Sequence, residues 1–183
     1  LLHDHIRQVT EHYAGKIFAW DVVNEAFDQN GNLEDSIWYN QPGIGLAGEG
    51  TAYIEQAFQW ARETDPDALL FYNDWGAEGE NAKSDAIFAM VKDFKNRGVP
   101  IDGVGLQMHL DLKTDELQEL SANIKRLVNL DVTVHVTEMD VAIPLNQYGG
   151  PADPVDLSTQ ANLYREVATV CARQPGCTAF QTW

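Results

Sequence analysis

At 183 residues the chain is long enough for one hydrophobic core and too short for two comfortable domains, so a single domain over residues 1–183 is expected. Its apolar fraction of 44% fits a globular protein, and no apolar run approaches bilayer-spanning length. The formal charge of −16 repels nucleic acid and anionic membrane surfaces, so neither is an expected partner, whereas a neutral polysaccharide meets no such penalty.

Leu1 to Thr10 reads as the inside of a helix, with His and Arg set among Leu and Ile. No basic start followed by an apolar stretch is present, so no signal peptide is visible. Ile17 to Val23 is a nearly continuous apolar strand that runs into Asn24 and Glu25. A long loop rich in Gly, Pro and Asn follows from Phe27 to Gly50. Thr51 can cap a helix with Ile54, Ala57, Phe58 and Ala61 on one face. Asp65-Pro66-Asp67 breaks that helix, and Ala68 to Tyr72 is a short buried strand. From Ala82 to Arg97, Ile87, Met90, Val91 and Phe94 form an apolar stripe. Lys95 and Arg97 suit the C-terminal end of its dipole, and Gly98 and Pro100 stop it.

The next strand runs from Ile101 to about Met108. Thr114, with Asp115 and Glu116 in the first turn, opens a helix displaying Leu117, Leu120, Ile124 and Leu127. Val132 to Val136 is a strand, and a second long loop spans Met139 to Asp156. Leu157 to Arg173 is a helix with Leu163, Tyr164, Val167 and Val170 inward. Thr178 to Thr182 begins a last strand, and the chain ends at Trp183. Neither end reads as a natural terminus, so an internal piece of a longer protein, truncated at both ends, is expected.

Strands alternating with helices imply a parallel sheet, because each right-handed crossover needs a helix. The candidate polar residues fall at strand C-termini: Asn24 and Glu25, Asn73 and Asp74, Gln107 and His109, Glu138, and Trp183. Convergence from several strand ends fits the mouth of a (β/α)8 barrel better than the single crevice of a doubly wound sheet. A full barrel needs about 250 residues, so a partial barrel of about five units is the expected fold. Glu25 and Glu138, each ending an apolar strand, form a carboxylate pair suited to glycosidic bond cleavage. Both long loops follow the strands that carry them, which is where functional loops belong.

Cys171 and Cys177 flank the turn Gln174-Pro175-Gly176, so either a short-range bridge or two buried thiols is open. His3, His5 and His12 cluster in the opening segment, but neither HExxH nor CxxC is present, and surface helix histidines are the expectation. No glycine-rich phosphate loop is present either, so neither a metal nor a cofactor is expected.

The stretches WDVVNEAF, FYNDW, NAKSDAIFAMVKDFKNRGVPIDGVGLQMHL and HVTEMDV occur in the order of glycoside hydrolase family 10, which the chain resembles over essentially its whole length. The resemblance implies a (β/α)8 barrel and a retaining endo-1,4-β-xylanase acting on xylan and xylo-oligosaccharides, monomeric at full length. It makes Glu25 the acid/base, Glu138 the nucleophile, and Asn24 the residue that holds the sugar 2-hydroxyl. His109 and Asp140 match a hydrogen-bonding group around the nucleophile, Gln107 bridges the glutamates or the sugar, and Trp183 packs on a sugar ring. Asp21, Tyr72 and Asn73 are supporting candidates. Met139 stands where the family more often has Leu, and the stretch Phe180-Gln181-Thr182-Trp183 departs from the family's usual aliphatic residue before Thr-Val-Trp, though not at the tryptophan itself. The spacing of Cys171 and Cys177 recurs in secreted members, which implies a disulfide and an extracellular location. The family's early strands, and an aromatic wall after Trp183, have no counterpart here. Two other readings stay open: a β-1,4-glucanase on the same scaffold, and a carbohydrate-binding piece without turnover.

Overall fold

The structure is a computed structural model that describes residues 1–114, 117–151 and 153–183. In chain order the elements are α1 (Leu2–Tyr13), β1 (Ala19–Asn24), α2 (Ala52–Thr64), β2 (Leu69–Asp74), α3 (Ala82–Arg97) and β3 (Gly103–Leu106). They continue with β4 (His109–Asp111), α4 (Leu117–Val128), β5 (Thr133–Ala142), α5 (Pro154–Arg173) and β6 (Cys177–Thr182). All strand pairs are parallel: β1 lies beside β2, β2 beside β3, β3 beside β5 and β5 beside β6, with β4 continuing past β3 against the far half of β5. This is the wall of a (β/α)8 barrel, partial in this chain.

The apolar stripes expected of the helices are the ones that cover the sheet. Ile54, Ala57, Phe58 and Ala61 of α2 are buried, as are Ile87, Met90, Val91 and Phe94 of α3 and Leu117, Leu120, Ile124 and Leu127 of α4. They meet Leu70, Tyr72, Val104, Leu106, Val134 and Val136 from the strands in one core. In α5 only Val167 and Cys171 are fully buried, while Leu163, Tyr164 and Val170 pack partly buried against the core. Gly98 ends α3 in the left-handed region at φ 75°, with its N–H returned to Phe94 and Lys95. Cys171 and Cys177 are paired across the α5–β6 turn, with Cα atoms 5.2 Å apart. His3, His5 and His12 lie exposed on α1.

The structure departs from the sequence expectation at several element ends. The strand expected from Ile101 to Met108 is split, because Met108 takes φ 62° and interrupts the ladder before β4. The loop expected from Met139 is instead the second half of β5, in which Met139 and Val141 are buried while Glu138 and Asp140 face the other way. Helix α5 begins at Pro154, not Leu157, because Asp153 caps it and Asp156 closes a capping box. Thr51 occupies the N-cap of α2 but makes no side-chain cap bond, since its backbone (φ −78°, ψ 9°) is not extended. The expected first-turn placement of Asp115 and Glu116 lies outside the described residues.

Candidate active site

Because every strand runs the same way, the ends that carry Glu25, Asn73, Gln107, Glu138 and Trp183 share one face of the sheet. Asn73 is its hub. The side-chain Oδ1 of Asn73 accepts from the Thr137 hydroxyl at 2.7 Å, which turns its Nδ2 toward Asn24 Oδ1 at 2.9 Å and Glu138 Oε1 at 2.7 Å. Gln107 Nε2 donates to Glu25 Oε1 at 3.0 Å and to Asn24 Oδ1 at 3.1 Å. The two carboxylates are therefore joined through three amide side chains. An ionised carboxylate only accepts hydrogen bonds, so amide donors at these positions hold the two acids without neutralising either.

His109 stands on the far side of Glu138. Its Nε2 lies 3.3 Å from Glu138 Oε2 and its Nδ1 3.0 Å from Asp140 Oδ1. Burial disfavours the imidazolium, but hydrogen bonding and charge from Asp140, then from Glu138, outweigh it and raise the His109 pKa. A protonated His109 donates to both acids and fixes the rotamer of Glu138. Trp183 follows β6 with its N–H on the Met139 carbonyl, and its ring meets His109 edge-on at 6.2 Å. At 82% exposed, Trp183 is not a core residue.

Two slips in register aim the acids. His135 and Thr137 face the same side, since His135 stacks on Phe71 while Thr137 bonds Asn73. Simple alternation would turn Glu138 away from them. The β5–β6 register shifts between Val136 and Met139, and Glu138 also reaches Asn73. The β1–β2 register shifts in the same way between Asp21 and Val23, and Asn24 then faces Asn73. Glu25 follows at φ 55°, a conformation that a non-glycine residue holds only when its surroundings over-determine it.

Of the supporting candidates, Asp140 and Asn73 touch Glu138 or its partner directly, while Tyr72 does not reach the cleft. Tyr72 is buried beneath it and accepts the Ala26 N–H on its hydroxyl at 2.9 Å. Three residues of consequence escaped the sequence reading. Thr137 orients Asn73. Gly105 gives Asn73 its space, since a Cβ there would lie 2.2 Å from Asn73 Oδ1. Trp75, 45% exposed, borders the clefts on both sides, one shared with Glu25 and the other with His109 and Asp140. Only Trp75 left a sequence signal, as an aromatic at a strand end beside Asn73. Among the described residues, no group of three or more His, Cys, Asp or Glu side chains could hold a metal ion.

Asp21 lies in β1, exposed at the surface yet partly shielded from water by the protein around it. Desolvation there, reinforced by the charge of Glu138, pushes its pKa up to about 6. A carboxyl that binds its proton more tightly when folded favours folding below its unfolded value of about 3.9, and that contribution is lost as pH rises through about 6. Asp21→Asn is therefore expected to gain stability relative to the parent between about pH 4 and about pH 7. Urea unfolding of both proteins at the two pH values measures it, and a constant difference would contradict the assignment.

Comparison with known proteins accords with this geometry. Residues 1–183 match the family described as Glycosyl hydrolase family 10. Endo-1,4-beta-xylanase B of Thermotoga neapolitana is 39% identical over 183 residues, which is 100% of this chain and 50% of that protein. Beta-1,4-xylanase of Dictyoglomus thermophilum is 42% identical over 183 residues, covering 96% of this chain and 49% of that protein. The chain thus spans about half the length of the curated relatives it matches. Among solved structures, xylanase 10B from Thermotoga petrophila RKU-1 in complex with xylobiose aligns with a TM-score of 0.89 at 39% identity. That alignment covers 99% of this chain and 52% of that one. Since the family match runs from the first residue to the last and a 39% identical relative shares the fold, the chain belongs to Glycosyl hydrolase family 10.

Proposed function

We propose that this chain carries the catalytic pair of a retaining endo-1,4-β-xylanase. Glu138 attacks the anomeric carbon of a xylosyl residue while Glu25 protonates the departing glycosidic oxygen. Glu25 then works as base on the water that releases the sugar from Glu138. The observation that carries this reading is the amide bridge from Glu25 through Gln107, Asn24 and Asn73 to Glu138. It places two differently surrounded acids on one cleft face, with His109 and Asp140 attending only Glu138. Asn24, which accepts from both amides, is placed to meet a sugar hydroxyl beside the acid/base. Trp75 and Trp183 offer exposed aromatic faces against which sugar C–H surfaces pack. The relative from Thermotoga petrophila, solved with xylobiose, supports xylo-oligosaccharides as ligands.

Secretion belongs to the same proposal and rests on different support. The Cys171–Cys177 pairing favours an oxidising compartment. The disulfide carries this part of the proposal, and one relative at 36% identity, from Thermoanaerobacterium saccharolyticum, is described as an intracellular xylanase.

The test is digestion of β-1,4-xylan, with cellulose alongside, followed by proton NMR of the first products. Mixed xylo-oligosaccharides appearing first as the β-anomer are expected. The α-anomer first would overturn double displacement, and faster release from cellulose would overturn the substrate. Positioning by the hub makes a further prediction. In Gly105→Ala the new methyl displaces Asn73 from both Asn24 and Glu138, and kcat on xylan is expected to fall about 100-fold. Michaelis–Menten kinetics on xylan check this, and an unchanged kcat would remove Asn73 from the mechanism.

A further inference from the structure

Beneath the cleft floor lies a polar cluster that bond cleavage does not itself use. Lys83 of α3 and Asp74 of β2 are 1% and 0% exposed, with Nζ 2.7 Å from Oδ1. Apolar residues of similar volume often replace a buried ion pair without loss of stability, so the pair's cost is offset here by something other than packing. Its remaining bonds point to what that is. Asp74 Oδ1 also accepts the Trp75 N–H at 2.9 Å, and Asp74 Oδ2 accepts the Tyr72 hydroxyl. The Tyr72 hydroxyl has one proton, and giving it to Asp74 leaves a lone pair for the Ala26 N–H at 2.9 Å. Ala26 directly follows Glu25, the residue in the left-handed conformation. The N–H of Glu25 itself goes to the Asn73 carbonyl at 3.0 Å. Strand β2 therefore holds the peptide groups on both sides of the strained residue, one by its backbone and one by a side chain.

We propose that Lys83, Asp74 and Tyr72 are positioning residues for Glu25, acting through the Ala26 peptide to set its carboxyl against the leaving-group oxygen. Lys83 keeps Asp74 in the accepting form, Asp74 takes the Tyr72 proton, and Tyr72 is left as the acceptor that pins Ala26. Loss of the relay lets the Glu25 backbone relax toward ordinary angles and carries its carboxyl away from the bond to be protonated. The proposal rests on the reading of Glu25 as the acid/base.

Tyr72→Phe tests it in the full-length protein. The change removes one hydroxyl and keeps the ring that packs edge-on against Phe27, with centroids 6.0 Å apart. The readout is kcat/KM, which reports the first bond cleavage, on a phenyl and a 2,4-dinitrophenyl xylobioside. Phenol needs a proton to leave, whereas 2,4-dinitrophenolate leaves without one. A misplaced acid is expected to cost roughly 10- to 100-fold on the phenyl substrate, within the reach of general-acid catalysis, and about 3-fold or less on the other. Equal losses on both substrates, or none on either, would overturn the proposal. The double variant Lys83→Met/Asp74→Leu removes the pair without stranding a charge and is expected to show the same leaving-group dependence. Glu25→Ala in parallel separates the two levels. If Glu25→Ala loses both substrates equally, the acid/base reading itself fails. If it spares only the dinitrophenyl substrate while Tyr72→Phe shows no such split, only the relay fails.

Discussion

Replacing Glu138 with alanine is expected to lower kcat on xylan by roughly 10^5-fold, the scale seen when one member of a catalytic unit is removed. The carboxylate is held by Asn73 on one oxygen and faces His109 on the other, so its loss removes the nucleophile and leaves both partners in place. The void on that side of the sugar is open to a small anion. With an aryl xylobioside bearing a good leaving group, azide is expected to restore turnover and give a glycosyl azide of inverted configuration. Glu25→Ala under the same conditions is expected to give the retained azide, because Glu138 still forms the glycosyl-enzyme and azide then replaces water. NMR of the two azides assigns the roles. The opposite pattern would exchange nucleophile and acid/base, and no rescue in either variant would argue against a covalent intermediate.

Lys83→Met is expected to be the most destabilising single change in the core. It strands the Asp74 carboxylate at a site with no exposure, which costs about 3–5 kcal/mol when one partner of a buried pair is removed. For a protein of this size that corresponds to a fall in melting temperature of roughly 10 °C. The methionine stem still fills the space under Trp75, over which the Lys83 ammonium lies 4.8 Å from the ring centroid, so the loss is one of charge and not of volume. Adding Asp74→Leu is expected to recover part of the stability, because it removes the stranded charge but leaves the Tyr72 hydroxyl and the Trp75 N–H without their acceptor. Calorimetry on the single and double variants decides it. If the double variant is no more stable than Lys83→Met, the lost acceptor for Tyr72 and Trp75 outweighs the relief of the unpaired acid.

The helices were the most legible part of the fold. Each apolar stripe has a period set by helix geometry alone, so Ile87, Met90, Val91 and Phe94 declare a buried face wherever the helix docks. Capping chemistry is equally local. The Asp153-Pro154 pair marks the start of α5 by capping chemistry, three residues ahead of the expected first residue, Leu157. The second half of β5 was harder, because Thr137, Glu138 and Asp140 are polar where a core strand is expected to be apolar. Their alternation with Met139 and Val141 carries the strand, and polar residues persist there because they line the cleft.

The sequence by itself determined the α/β order, the parallel sheet and the two glutamates at strand ends, since periodicity, turn residues and the handedness of crossovers are properties of local chain. Tertiary structure alone decided how the acids are aimed. The register slips in β1 and β5 turn Asn24 and Glu138 to one side, Met108 and Glu25 take left-handed backbone, and Gly105 clears space for Asn73. Each of these depends on what a neighbouring strand presents across the ladder. Such pairings join residues far apart in the chain, as Asn73 joins Glu138, and no local pattern encodes them.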